Sequence, residues 1–211
     1  MSEYLYKFLV DGMKSKYDGS EWVVGKWRKV KPPNEECVGL NASPLVQQAL
    51  GYVHGTILAK VECTGKIIKG NDKWTCERMR VVEVAPWTKR ESVSLAVFAA
   101  ELVLPKWSAK HPDDDRSAKA IAVAKEWLGT GKKPAANAAN AANAAADAAY
   151  AAANAADAAD AAYAAAYAAY AAYAAYAAYA ANAANAADAK RKIHDYALSL
   201  VKFGKEATCP R

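Results

Sequence analysis

The chain has 211 residues, with 28 Lys or Arg against 22 Asp or Glu, a formal net charge of +6 and 54% hydrophobic residues. Much of that apolar share is alanine, which fills 38 of the 56 positions from 134 to 189, so the core-forming side chains concentrate in the first 130 positions. Four cysteines without a CxxC pair speak against a zinc site or a disulfide framework, MSEYLYKF lacks a leader pattern, and Tyr, Asn and Asp interrupt the alanine tract too often for a membrane span.

Residues 1–88 read as a small β-rich domain. Tyr4 to Val10 and Glu21 to Val30 carry β-branched and aromatic residues on either side of Asp18-Gly19-Ser20, which predicts a first hairpin. A short helix follows, with Ser43 as N-cap, Pro44 at its first position and Gly51 near its end. Strands resume at Thr56 to Thr64, where Ile57, Ala59, Val61 and Cys63 alternate with Leu58, Lys60 and Glu62. Lys66 to Lys69 and Lys73 to Val84 supply two more, joined by Gly70-Asn71-Asp72.

Within this domain Lys14, Lys16, Lys26, Arg28, Lys29 and Lys31 interleave with Tyr17, Trp22 and Trp27. Basic residues among aromatics can track a single-stranded nucleic acid and stack its bases, and the same pattern suits a solvated strand face. His54 has no Ser, Cys or carboxylate at a telling spacing.

Residues 37–84 carry Gly39-Leu40-Asn41-Ala42-Ser43, Ala49-Leu50, Tyr52, Gly55, Ile57-Leu58, Val61-Glu62, Gly65, Ile67, Gly70, Asp72-Lys73 and Arg78 to Val82. In these positions the segment resembles an uncharacterised domain of prophage and actinophage proteins, with Asn41 where that family has a histidine. The resemblance implies no reaction.

Residues 89–133 read as a pair of amphipathic helices. The first spans Ser92 to Trp107, with Val93, Leu95, Val97, Phe98, Ala100, Leu102 and Leu104 on a wide apolar face and Pro105 as its expected end. His111-Pro112-Asp113-Asp114-Asp115-Arg116 opens the second, with Ala118, Ile121, Ala122, Lys125 and Leu128 at helical spacing and Gly129 as its stop. His111 and the three Asp are divalent-cation ligand types, but carboxylates at a helix start satisfy free N–H groups and the dipole, so no metal is expected.

The Pro112 to Arg116 helix start, with Ala120, Ala124 and Trp127 after it, lies in a stretch from Leu95 to about Leu200 that resembles an immunity-protein domain of bacterial polymorphic-toxin loci and phages. Immunity proteins act by binding, usually to a cognate toxin, so the resemblance implies a protein partner and no reaction.

From Pro134 to Ala189 every residue after the proline is Ala, Asn, Asp or Tyr. Alanine's helix propensity predicts an α-helix, continuing through Lys190-Arg191-Lys192 to about residue 203, roughly 100 Å if unbroken at 1.5 Å per residue. From Tyr167 to Asp188 the non-alanine residues recur every third position. Three residues turn an α-helix by about 300°, so the stripe winds left-handed around it and a heptad coiled coil is disfavoured. One helix, a helical hairpin and a non-α helix of period three all remain open. Small Ala side chains permit close approach and Tyr adds packed area, so Tyr163, Tyr167, Tyr170, Tyr173, Tyr176 and Tyr179 are the candidate protein-contact residues. His194 and Asp195 are expected to face solvent, and 204–211 to form a tail.

The expected fold is α+β: a β-rich domain (1–88), a helix pair (89–133), an alanine-rich repeat helix (134–203) and the tail. The expected function is non-enzymatic protein binding or self-assembly, immunity-like, in the cytoplasm of a bacterial or phage-infected cell. No catalytic, cofactor or metal site is expected, and no membrane contact. The tract holds four Asp and no Lys or Arg, leaving 28 basic against 18 acidic residues elsewhere, which admits nucleic acid as a partner. An alternative places an enzyme or a nucleotide- or nucleic-acid-binding module in the β domain, on Asn41, Ser43, His54 and the basic residues.

Overall fold

Alternating apolar positions in the first 88 residues build a sheet, and the structure, a computed structural model, describes residues 4–110, 112–113, 115–131 and 183–205. These fall into two units, Met1–Thr88 with Ala197–Arg211, and Lys89–Tyr196. The fold is α+β, with a five-stranded antiparallel sheet and helices.

The sheet comprises β1 (Leu5–Leu9), β2 (Arg28–Lys29), β3 (Leu40–Ala42), β4 (Ile57–Lys69) and β5 (Trp74–Pro86). Its order is β1-β4-β5-β2, and β3 also pairs with β5. β4 and β5 form a long hairpin whose register shifts between Lys60 and Val61 and again between Thr64 and Ile67. Gly65, at φ +77°, lies within the second shift. Such bulges bend and twist a hairpin. β1 pairs along its open end, Leu5 opposite Val61 and Leu9 opposite Ile57. β3 pairs near its turn, Leu40 opposite Cys76 and Ala42 opposite Trp74. Tyr6 and Ser43 then exchange backbone hydrogen bonds of 2.8 Å in both directions, linking β1 to the residue after β3 and closing the sheet into a small barrel-like ring.

One face of this ring is the inner core of Leu5, Leu9, Trp22, Leu40, Ala59, Val61, Cys76 and Met79. On the other face, α1 (Val46–Tyr52) packs on β1 and Phe8 meets Trp87 edge to face at 5.4 Å. The C-terminal segment returns to the same sheet, where Gly204 and Val84 exchange backbone hydrogen bonds of 2.8 and 2.9 Å.

Several expectations are corrected. Glu21 to Val30 contributes only β2, which pairs with β5 at Arg28–Met79, so no β1 hairpin forms. The intervening loop turns back on itself instead, through Val10–Lys14 and Lys14–Glu21 bridges. The strands expected at Thr56–Thr64 and Lys66–Lys69 are one continuous β4, because Gly65 carries the chain through a left-handed bulge without ending the ladder. α1 starts later than Ser43 and Pro44 predicted, with Leu45 in the N-cap position, because the Ser43 backbone is occupied by Tyr6.

In the second unit, α2 (Lys89–Lys110) contacts α3 (Arg116–Thr130), and α4 (Ala183–Ser199) contributes Tyr196, whose ring stacks on Phe98 at 4.1 Å. Lys125 bonds Glu101 between α2 and α3 at 2.6 Å. α2 runs through Pro105, the expected end, although a proline there lacks the N–H for one helical bond and its ring crowds the carbonyl one turn earlier. Its buried residues Val93, Leu95, Val97 and Ala99 recur every second position, so opposite sides of the helix are covered and a single apolar stripe is absent. Gly131, at φ +68°, ends α3 in place of Gly129 by donating to the Trp127 carbonyl.

Most of the alanine-rich tract, residues 134–182, lies outside the described residues, including Tyr163, Tyr167, Tyr170, Tyr173, Tyr176 and Tyr179, as do His111 and Asp114, whereas its last residues, 183–189, belong to α4. Among the described residues, no helix is long and apolar enough to cross a membrane.

Candidate functional site

Strand alternation places Lys7 between the two buried leucines of β1, on the inner face of the ring opposite Ala59. This ammonium borders a cavity of about 400 Å³, whose walls come from β1, the 15–22 loop, Arg28, the 37–43 segment, α1 and Lys73. Its Nζ donates to the Asn41 backbone carbonyl at 3.1 Å and stands 5.5 Å from the centre of the Trp22 ring. No carboxylate among the described residues lies within salt-bridge reach of it. Burial drives the Lys7 ammonium down to about 8, with the Asp18 field opposing and the Arg28 field adding to the shift.

Two further donors converge there. Trp22 is 4% exposed, lines the cavity, and its Nε1–H meets no acceptor among the described residues. The Arg28 guanidinium lies 4.7 Å from the Trp22 ring, its Nη1 donating to Ser20 Oγ at 2.6 Å. Ser20 Oγ donates in turn to Asp18 Oδ1 at 2.6 Å, and hydrogen bonds from Ser20 and Ser15 hold the Asp18 carboxyl at about 2. That carboxylate is thereby engaged in its own turn and leaves Lys7 without a direct counter-ion.

The rim is aromatic and basic. Tyr17, 75% exposed, donates its hydroxyl to the Tyr52 carbonyl at 3.3 Å, and Lys73 Nζ sits 4.2 Å from the centre of the Tyr52 ring. The Tyr52 hydroxyl donates to Asp72 at 2.8 Å, and burial followed by that bond pushes its pKa up.

No protein-family model, curated protein or solved structure matches the chain.

The residues singled out in the sequence separate accordingly. Asn41 is a wall residue whose side chain is fully engaged: Nδ2 donates to the Cys37 and Gly39 carbonyls at 3.2 Å, and Oδ1 accepts from Thr75 Oγ1 at 2.7 Å. Thr75 Oγ1 accepts the Cys37 N–H at 2.9 Å, so this network latches the 37–41 loop to β5. Ser43 lines the cavity but is 2% exposed. His54 does not line it and is exposed, its pKa lowered by burial and by Lys16. The trio of Asn41, Ser43 and His54 is therefore not brought together.

The basic–aromatic run also divides. Tyr17, Trp22 and Arg28 belong to the cavity, whereas Trp27 lies under the Arg80 guanidinium at 4.9 Å and Lys29 pairs with Glu77 at 3.7 Å. Trp22 is buried and offers no stacking face, whereas Tyr17 and Trp27 are exposed. In the second unit, the Asp115 carboxylate binds Lys119 Nζ at 2.8 Å and does not cap the α3 N–H groups. His194 is half-buried, against the expected solvent position, and burial lowers its pKa. Among the described residues, no three His, Cys, Asp or Glu side chains group as a metal site.

Sequence reasoning missed Lys7. Its signal was a single lysine interrupting the alternation of Leu5 and Leu9, legible once Leu5 and Leu9 are known to face inward. Cys63 and Cys76 form a neighbouring hydrogen-bonded thiol pair, and that bond, then burial, holds Cys63 protonated.

Proposed function

We propose that the β-rich unit is a binding module for a small organic anion, received at Lys7, Trp22 and Arg28. The carrying observation is the half-buried Lys7, whose ammonium has a carbonyl and an indole ring around it and no carboxylate partner among the described residues. A partly desolvated charge of this kind carries a cost unless paired, which an anionic group would offset. The Trp22 N–H and the Nε and Nη2 of Arg28, without an acceptor among the described residues, add donors that favour a carboxylate or phosphate, the lining Asp18 carboxylate being bonded within its own turn. Tyr17 and Tyr52 at the rim suit a planar or apolar body behind that group. No Ser–His or Cys–His pair lines the cavity, so binding is the reading it supports.

Thermal-shift measurements on the full chain, with nucleoside monophosphates and aromatic carboxylates at matched ionic strength, test this. At least one anion should raise the Tm of the wild type and leave Lys7→Met unmoved. Equal responses from both proteins, or none at millimolar anion, overturn it.

A second reading rests on the alanine-rich tract, whose seven tyrosines are seven of the chain's twelve. We propose that this segment is a long α-helix or helical hairpin that self-associates or binds a protein partner in the cytoplasm, in the manner of the immunity proteins that the helical region resembles. Tyr163 to Tyr179 would supply the contact area. Light scattering of wild type and the Tyr170→Ala, Tyr173→Ala, Tyr176→Ala triple variant decides it. A monomeric wild type ends self-association, and an unchanged assembled mass in the triple variant moves the contact elsewhere.

A further inference from the structure

We infer that Lys7 is a nucleophilic amine that condenses reversibly with an aldehyde or ketone carrying an anionic group, the carbonyl carbon being placed at Nζ in the cavity bordered by β1, the 15–22 loop, the 37–43 segment and α1. This rests on the anion-binding reading and adds a covalent step to it.

Two circumstances make a lysine nucleophilic at neutral pH, a desolvated pocket and an adjacent cation. Lys7 has both. It lies between Leu5 and Leu9 on the inner face, and the Arg28 guanidinium shares the Trp22 ring with it, at 4.7 Å against 5.5 Å for Nζ. With its pKa near 8, the unprotonated fraction at pH 7.5 is about two orders of magnitude above that of an ordinary lysine. Among the thiols, Cys63 does not line the cavity and is held protonated by its bond to Cys76, Cys76 is wholly buried, and Cys37 lines the cavity from its exposed loop. Ser20 is committed to Asp18 and Arg28. The Lys7 amine is the nucleophile that these surroundings place against an indole ring and beside a guanidinium.

The step balances without an oxidant or reductant. The Nζ lone pair attacks the carbonyl carbon, forming the C–N bond while the C=O π pair moves to oxygen, and a proton passes from nitrogen to that oxygen to give a carbinolamine. The hydroxyl then takes a second proton and leaves as water as the C=N bond forms. Solvent at the exposed Tyr17 rim supplies and removes these protons. The protonated imine keeps the positive charge beside Trp22 and retains one N–H for the Asn41 carbonyl that Nζ already meets at 3.1 Å. The anionic group of the carbonyl compound pairs with Arg28, whose Nε and Nη2 are unengaged among the described residues.

Pyridoxal 5′-phosphate, an aromatic aldehyde with a phosphate, is the probe. The native full chain is incubated with a substoichiometric amount at pH 7.5, reduced with borohydride, and mapped by peptide mass spectrometry. Pyridoxine 5′-phosphate, which has the phosphate and no aldehyde, is run alongside by thermal shift, and Lys7→Arg keeps the charge without the nucleophile. The expected result is a reduced adduct on Lys7 at least tenfold faster than on the average surface lysine, lost in Lys7→Arg, with stabilisation by pyridoxine 5′-phosphate in both proteins. Stabilisation by pyridoxine 5′-phosphate with no preference for Lys7 in the adducts overturns the covalent step and leaves the anion site standing. Neither stabilisation nor preferential labelling overturns both.

Discussion

Replacing Lys7 by Met removes the one charge between the inward leucines of β1 while nearly preserving side-chain length. The ammonium is pushed from 10.5 to about 8 by burial, and at 1.36 kcal/mol per pKa unit its charged form costs the native unit on the order of 3 kcal/mol. The Asn41 carbonyl loses its donor in the variant, which offsets about 1 kcal/mol of the gain. Lys7→Met is therefore expected to be more stable at pH 7 by about 2 kcal/mol, while losing the anion response. The pH dependence has a defined sign. Below about 8 both folded and unfolded chains hold the proton, and the cost is complete. Between about 8 and 10.5 only the unfolded chain holds it, so wild-type stability gains on the variant, and the gap closes before pH 10.5, where the Asn41 hydrogen bond leaves the wild type slightly ahead. Urea unfolding of both full chains at pH 7.5, 9 and 10.5 reads this through tryptophan fluorescence, since Trp22, Trp27, Trp74 and Trp87 belong to the sheet unit. Parallel stability profiles, or a variant less stable at every pH, refute the reasoning.

Three other perturbations probe the frame of the cavity. Gly55→Ala would press a Cβ into the Leu9 carbonyl, so β1 must shift, and unfolding should become easier by about 1–3 kcal/mol in urea titration. Asn41→Ala breaks the latch to Thr75 and both carbonyl contacts, and hydrogen exchange across residues 37–41 should accelerate, with a stability loss of about 1–3 kcal/mol. Asp18, held at about 2, contributes stability that is present above the ordinary carboxylate range and lost as pH falls through 2, so Asp18→Asn should flatten the acid limb of the stability profile between pH 4 and 2.

The sequence alone was enough for the elements whose signal is local. The two-residue alternation from Ile57 to Cys63 and the Gly70-Asn71-Asp72 turn placed the β4–β5 hairpin, since side-chain period and turn chemistry act over a few neighbours. It equally marked the short helix after Ser43 and the two helices that flank residues 111–115. What it left undecided was everything set by pairing at a distance. Glu21 to Val30 has strand composition, yet only Arg28 and Lys29 form a strand, with Val24 bridging Val81, because β5 rather than β1 offers the edge they meet. Leu40 to Ala42, which received no element of its own before the helix, became β3 through its partner at Trp74–Cys76, 34 residues away in the case of Thr75 and Asn41. The cavity exists only through such contacts. Lys7, Trp22 and Arg28 are scattered along the sequence with nothing to join them, and it is the ring closed at Tyr6 and Ser43 that turns a solvated-looking lysine inward and takes water and counter-ions from its charge.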